Sequence, residues 1–449
     1  MATRDLTSGS IPRHLMNMAA FIGFGLAVQT LYVLVDLYFV ARLGEHAVAG
    51  VTAAASTMFA VLAASQLVSV GALSLIARAI GRKDQGDAQT IFDQALSMSL
   101  AAALVTLILG YAFGDALVTI LAADGETAAL AHTYLLAYLP ALAIMFPGAA
   151  LGSALRAAGV VAGPMVLQCL SVILNAVLAP VLIVGWGTGL PLGVAGAGLA
   201  SSIASVAGTI ALLLLFNRLQ TLLRLHLPSL RPRLRTWLRI AAIGLPASGE
   251  FLLIFLVSAL LYWSIRSFGA DAQAGFGIGS RVMQSIFLPA MAIAFAASPI
   301  AGQNFGAGHA DRVRGTFRHA ALIGSAVMLT LTLLCQIRPD LLVHPFTEQA
   351  AVQRVATDYL RIISWNFVAV GLVFACSGMF QALGNTIPSL LSSASRFVTF
   401  ALPAIWLAGR PGTELHDFWY VSVASVTVQA LLSVLLLRRE LHLKLSARG

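Results

Sequence analysis

Apolar stretches long enough to cross a bilayer recur twelve times along the chain, and no other feature constrains its fold so tightly. A bilayer core of about 30 Å takes roughly 20 apolar residues as helix, because backbone groups in hydrocarbon must find partners within the segment. Such windows fall at 15–40, 50–77, 93–113, 130–154, 163–184 and 193–216, then at 240–265, 276–302, 317–337, 358–381, 387–408 and 418–437. With short connections they account for nearly all of the 449 residues, leaving no room for a separate soluble domain. Only 10% of the residues are charged, against about 25% for a soluble domain. That excludes a cytosolic enzyme, a disordered chain and a secreted disulfide scaffold. The pattern predicts an all-α integral membrane protein of twelve transmembrane helices. The first fourteen residues are polar and precede a span too long for a signal sequence, so no signal peptide is expected.

The net charge of +9 on so apolar a chain needs a place. Basic excess marks a nucleic-acid partner when it clusters on a soluble face. With the N-terminus inside, nineteen of the 27 basic residues fall on inside segments and six outside, with Arg281 and Arg396 within spans. Short loops rich in Lys and Arg stay cytoplasmic. The expectation is a multi-pass protein of the inner or plasma membrane, monomeric, with both termini cytoplasmic, partnered by lipid and not by nucleic acid. Cys169, Cys335 and Cys376 lie singly in apolar spans, and no HExxH pattern or nucleophile–base pair occurs. No enzyme, cofactor or metal centre is expected.

The only long connection, 217–239, is rich in Arg and Leu and divides the spans six and six. Expected domains are therefore 1–216, a cytoplasmic linker 217–239, and 240–449. At a constant shift of 225, Gly44 meets Gly269, Gly50 meets Gly275, Gly81 meets Gly306 and Gly159 meets Gly384. Six spans per repeat keep both halves in the same orientation. Two six-helix bundles related by a parallel pseudo-two-fold axis follow, a transporter plan with its path at the repeat interface.

Two acids lie deep in spans, Asp36 and Glu250. A carboxyl there costs roughly 2.5–3.5 kcal/mol on insertion scales, so its default reading is functional. Gln29, Tyr32 and Asp36 share one helical face at i, i+3, i+7, and Gln168, Ser171 and Asn175 repeat that spacing. Ser201 heads a run of hydroxyls on the sixth span. Their alternative reading is hydrogen-bonding glue between helices. Glu250 follows Pro246, which frees carbonyls beside it. Trp365 and Asn366 are candidates to line the second bundle, and Arg396 fits packing or function.

The stretch TLYVLVDLYFVARLGEHAVAGV (30–51) resembles the first-helix signature of the multidrug and toxic compound extrusion (MATE) transporters. ARAIGRKDQGDAQ (77–89), ALRAAGVVAGP (154–164), NAVLAPVLIVG (175–185) and GVAGAGLAS (193–201) are similar to that family's loop after helix two, its turn before helix five, and its fifth and sixth helices. The resemblance covers essentially the whole chain. It implies export of cationic, amphipathic drugs or toxic metabolites against inward H+ or Na+, by alternating access. It also implies that Asp36 binds the coupling cation, with Asn175 and Ser201 beside it. Two positions depart from the family: Ala179 stands where an Asp is common, and Val370 or a neighbour replaces a helix-ten acid. Hard cations take several oxygen ligands and a proton needs one titratable group, so H+ is favoured, with Na+ at Asp36 as the alternative. Glu250 is then a second charge for substrate or cation. A lipid-linked saccharide flippase would require more basic residues than Arg281 and Arg396. A major-facilitator carrier would require a Gly-Asp-Arg-rich loop after helix two, which 77–89 lacks in that order.

Overall fold

The computed structural model describes residues 5–121, 124–219, 223–224 and 230–446. Arg4, Arg448 and linker positions 220–222 and 225–229 lie outside the described residues. Twelve helices among those described are long and apolar enough to cross a membrane. The first half comprises α1 (Ile11–Ala41), α2 (Glu45–Gly81), α3 (Gln85–Leu121), α4 (Gly125–Ala157), α5 (Ala162–Ala179) and α6 (Gly193–Arg218). The second comprises α7 (Leu234–Ser264), α8 (Ala270–Gly306), α9 (Ala310–Ile337), a short α10 (Asp340–Val343), α11 (Ala350–Ile363), α12 (Phe367–Leu383), α13 (Ile387–Ala408) and α14 (Leu415–Ser446). The tight turn Ser364–Asn366 joins α11 to α12, which together make one crossing. Each expected window sits in its own crossing, and many helices run past it. At 1.5 Å per residue, the 37 residues of α2 exceed the hydrocarbon thickness.

The shift of 225 is visible in the backbone. Helices start at Glu45 and Ala270, Gln85 and Ala310, Gly125 and Ala350, and Ala162 and Ile387, each pair in that register. Gly44 and Gly269 enter their helices at φ +106° and +90°, and Gly159 and Gly384 turn at +76° and +68°. The close crossing inside each half repeats as well. A Cβ on Gly50 would lie 3.0 Å from Thr127 O in α4, and one on Gly275 would lie 2.9 Å from Val352 O in α11. Only glycine lets these backbones approach so closely.

Packing divides the chain into two units at points the sequence did not mark. One gathers Phe24–Gly244; the other joins Leu6–Gly23 to the chain from Leu245 onward. The expected domain 1–216 thus gives up its leading segment. The cause is local: Arg312 on α9 donates to the carbonyls of Gly9 at 3.0 Å, Leu6 at 3.3 Å and Ser8 at 3.3 Å. Gln303 Oε1 accepts from Leu6 N at 3.1 Å, and Asn304 Nδ2 donates to Leu6 O at 3.0 Å. The start of α7 stays with the first unit, where a Cβ on Gly244 would lie 1.8 Å from Leu67 O.

Candidate functional site

In the first unit the polar residues form one chain of contacts. Tyr32 on α1 donates its hydroxyl hydrogen to Ser201 Oγ on α6 at 2.6 Å. Asn175 Nδ2 on α5 donates to the same oxygen at 3.3 Å. Asp36 follows Tyr32 by one turn and is buried, as are Asn175 and Ser201. Two side-chain oxygens here, Asp36 Oδ1 and Asn175 Oδ1, are buried with no hydrogen-bond partner among the described residues. Leaving such an acceptor unpaired costs about 1–3 kcal/mol, more for a charged group. Tyr134 and Tyr138 on α4 lie in the buried cluster that also holds Val40 and Ala179, their rings stacked at 5.2 Å.

Local sequence explains the shape of this pocket. Pro140 has no N–H and breaks the α4 ladder. Leu136 O then accepts from Tyr111 Oη at 3.4 Å, while Ser202 Oγ accepts from Ala141 N at 3.3 Å and donates to Ala137 O at 2.6 Å. One turn past Asn175, Pro180 starts the wide turn Pro180–Val184 that ends α5; such π turns often mark functional sites. Ala179 is buried in the surrounding apolar cluster. Where an acid at 179 would add a second carboxylate near Asn175, this chain has a methyl group.

Other sequence candidates are placed elsewhere. Gln29 is exposed and Gln168 half-buried, while Ser171 donates back to Leu167 O at 3.0 Å. Seven residues span about 10 Å of helix, so Gln29 lies at a different depth from Asp36. Trp365 is 68% exposed. Asn366 is buried, and its Oδ1 has no partner among the described residues.

The second unit holds a separate cluster. Glu250 Oε2 on α7 accepts from Ser389 Oγ on α13 at 2.7 Å and from Ser377 Oγ on α12 at 3.0 Å. The two hydroxyls lie 3.1 Å apart. The sequence marked the acid but not the serines, which are distant along the chain.

The clusters do not correspond under the repeat. Shifted by 225, Tyr32, Asp36, Asn175 and Ser201 become Val257, Leu261, Phe400 and Val426, all buried and apolar. In reverse, Glu250, Ser377 and Ser389 become Gly25, Gly152 and Pro164. Each half has kept a polar site where the other has filled the same position with carbon or left it bare.

The MatE family model matches residues 22–181 and again 246–407. The chain belongs to the MATE family. The two matches carry offsets that bracket the glycine register, so the family unit is the repeat itself. Among curated relatives, the multidrug export protein MepA of Staphylococcus aureus is 25% identical over 435 residues, covering 95% of this chain and 94% of MepA. The FAD transporter of Shewanella oneidensis is 25% identical over 408 residues, covering 89% and 88%. A solved outward-facing multidrug resistance MATE transporter superposes with TM-score 0.90 at 24% identity, covering 99% of this chain and 98% of that one. At that identity the likeness carries the fold. MATE proteins are transporters, and this chain is a multi-pass membrane protein of that family.

Proposed function

We propose that the protein is a secondary active antiporter that exports cationic, amphipathic compounds in exchange for inward protons, with Asp36 as the coupling carboxylate. The observation that carries this reading is the pair of buried, unpartnered oxygens on Asp36 and Asn175, the asparagine bonded through Ser201 to Tyr32, which stands one turn before Asp36 on α1. An ionised Asp36 accepts only; once protonated it donates. Loading a proton therefore removes the negative charge that would hold a cationic compound and gives helix α1 a new hydrogen bond to make. Proton entry and drug release are linked by that exchange. Glu250, held by two hydroxyls, is the second charge for substrate or cation. MepA, a multidrug export protein, supports the substrate class. The inside excess of arginine supports cytoplasmic termini, and the chain acts as a monomer.

Sodium is the alternative coupling ion, but hard cations take several oxygen ligands and Ala179 contributes none. A second reading, an anionic cargo, is favoured by Arg396, whose Nε is buried without a partner among the described residues, and by the FAD transporter among the relatives.

Reconstituted proteoliposomes separate these readings. Efflux of a fluorescent organic cation is followed under pH and sodium gradients imposed one at a time. The pH gradient should drive efflux, and Asp36→Asn should abolish that response. Wild-type coupling in Asp36→Asn sinks the assignment of Asp36. Drive by sodium alone replaces the ion, and exchange of a flavin nucleotide in place of the dye replaces the cargo.

A further inference from the structure

The linker before α7 is strapped to α3 by its backbone. Gln94 Nε2 donates to Arg231 O at 2.9 Å, and Gln94 Oε1 accepts from Arg233 N at 2.6 Å. Gln89 grips Arg224 in the same two-handed way, its Oε1 accepting from Arg224 N at 2.8 Å and its Nε2 donating to Arg224 O. Ser97 Oγ donates to Leu230 O at 2.6 Å. With the main chain held inward, the side chains of Arg231, Arg233 and Arg235 are left exposed. None of the three forms an ion pair among the described residues; the nearby carboxylate, Asp87, is engaged by Arg82 at 2.9 Å and Arg239 at 3.2 Å. Beside them Leu234 and Leu238, one turn apart on α7, are 71% and 60% exposed. Leu234 opens the helix that carries the α7 crossing, so these leucines and the arginines lie together at the cytoplasmic approach to that span.

We propose that this strapped segment is a binding site for an anionic phospholipid, with its phosphate on Arg231, Arg233 and Arg235 and its acyl chains on Leu234 and Leu238. A topological label needs positive charge only. It does not need the backbone fixed by two glutamines, nor its guanidinium groups left unneutralised above exposed leucines. Each arginine near a charged membrane surface contributes about 1 kcal/mol, and guanidinium groups match phosphate oxygens in pairs. The ligand commits to lipid over free phosphate because the leucines continue the site into the apolar layer.

The test is native mass spectrometry of the full-length, detergent-purified protein titrated with phosphatidylglycerol and with phosphatidylcholine of the same chain length. Wild type should retain phosphatidylglycerol preferentially. The R231Q/R233Q/R235Q variant should lose that preference by on the order of 100-fold. The Q89A/Q94A variant keeps every charge and should lose most of the preference by releasing the strap. Soluble glycerol phosphate should not compete. Equal retention of the two lipids by wild type, or an unchanged preference in the triple variant, overturns the site. An unchanged preference in Q89A/Q94A overturns it in favour of diffuse charge, and full competition by glycerol phosphate overturns the lipid as its ligand.

Discussion

Tyr32 and Ser201, 169 residues apart, meet at 2.6 Å in a bond that ties the helix carrying Asp36 to α6. Because Ser201 Oγ also accepts from Asn175, the tyrosine orients the pocket without supplying its charge. Tyr32→Phe should therefore slow proton-driven efflux by no more than about tenfold, the worth of one hydrogen bond, whereas Asp36→Asn should abolish it. Vesicle efflux rates for the two variants, side by side, give the ranking; equal losses would contradict it.

Asn175 and Phe400 are repeat equivalents with opposite duties. Phe400 is fully buried in the apolar cluster of the second unit. Phe400→Ala should cost about 3–5 kcal/mol through the cavity it leaves. Asn175→Ala should cost far less stability and should act on coupling. Melting of each purified variant, read beside its transport rate, distinguishes the two.

Lys83 ends α2 at φ +60°, where its repeat counterpart Gly308 turns at +80°. A left-handed conformation costs a residue with a Cβ roughly 1–2 kcal/mol. Lys83→Gly should stabilise the protein by about 1 kcal/mol, and Gly308→Ala should destabilise it by a similar amount. Opposite shifts in melting temperature are the expected pair.

Asp124 caps α4, accepting from Thr127 N at 2.8 Å and Thr127 Oγ1 at 3.0 Å. The backbone bond, then the hydroxyl bond, holds its carboxyl below the usual range. The unfolded chain therefore takes up this proton first. The cap's contribution is whole above about pH 4 and disappears as pH falls through the lowered folded value. Asp124→Ala should melt earlier than wild type at pH 7, and the gap should close in acid.

The crossings were legible in the sequence because a helix in hydrocarbon must be apolar along its whole length, and the repeat because its turn glycines keep register. Asp36 and Glu250 stand out because a carboxylate in such a span is costly. Their partners are another matter. Tyr134 and Tyr138 reach the pocket from α4 across nearly a hundred residues, and Ser377 and Ser389 lie more than a hundred from Glu250. Neither pairing leaves a local pattern. A Tyr pair at i, i+4 just before Pro140 was the nearest available sign. Gln29 shares a helical face with Asp36 but stands exposed, about two turns away: a shared face fixes direction, not depth.

The packing boundary cuts through α1 and α7 instead of the linker. A six-helix chain made from either half alone would leave the head of its first helix without its seat, and would offer an empty seat to another copy. Carrying both halves on one chain keeps each head seated at all times, at no cost in encounter with a second molecule.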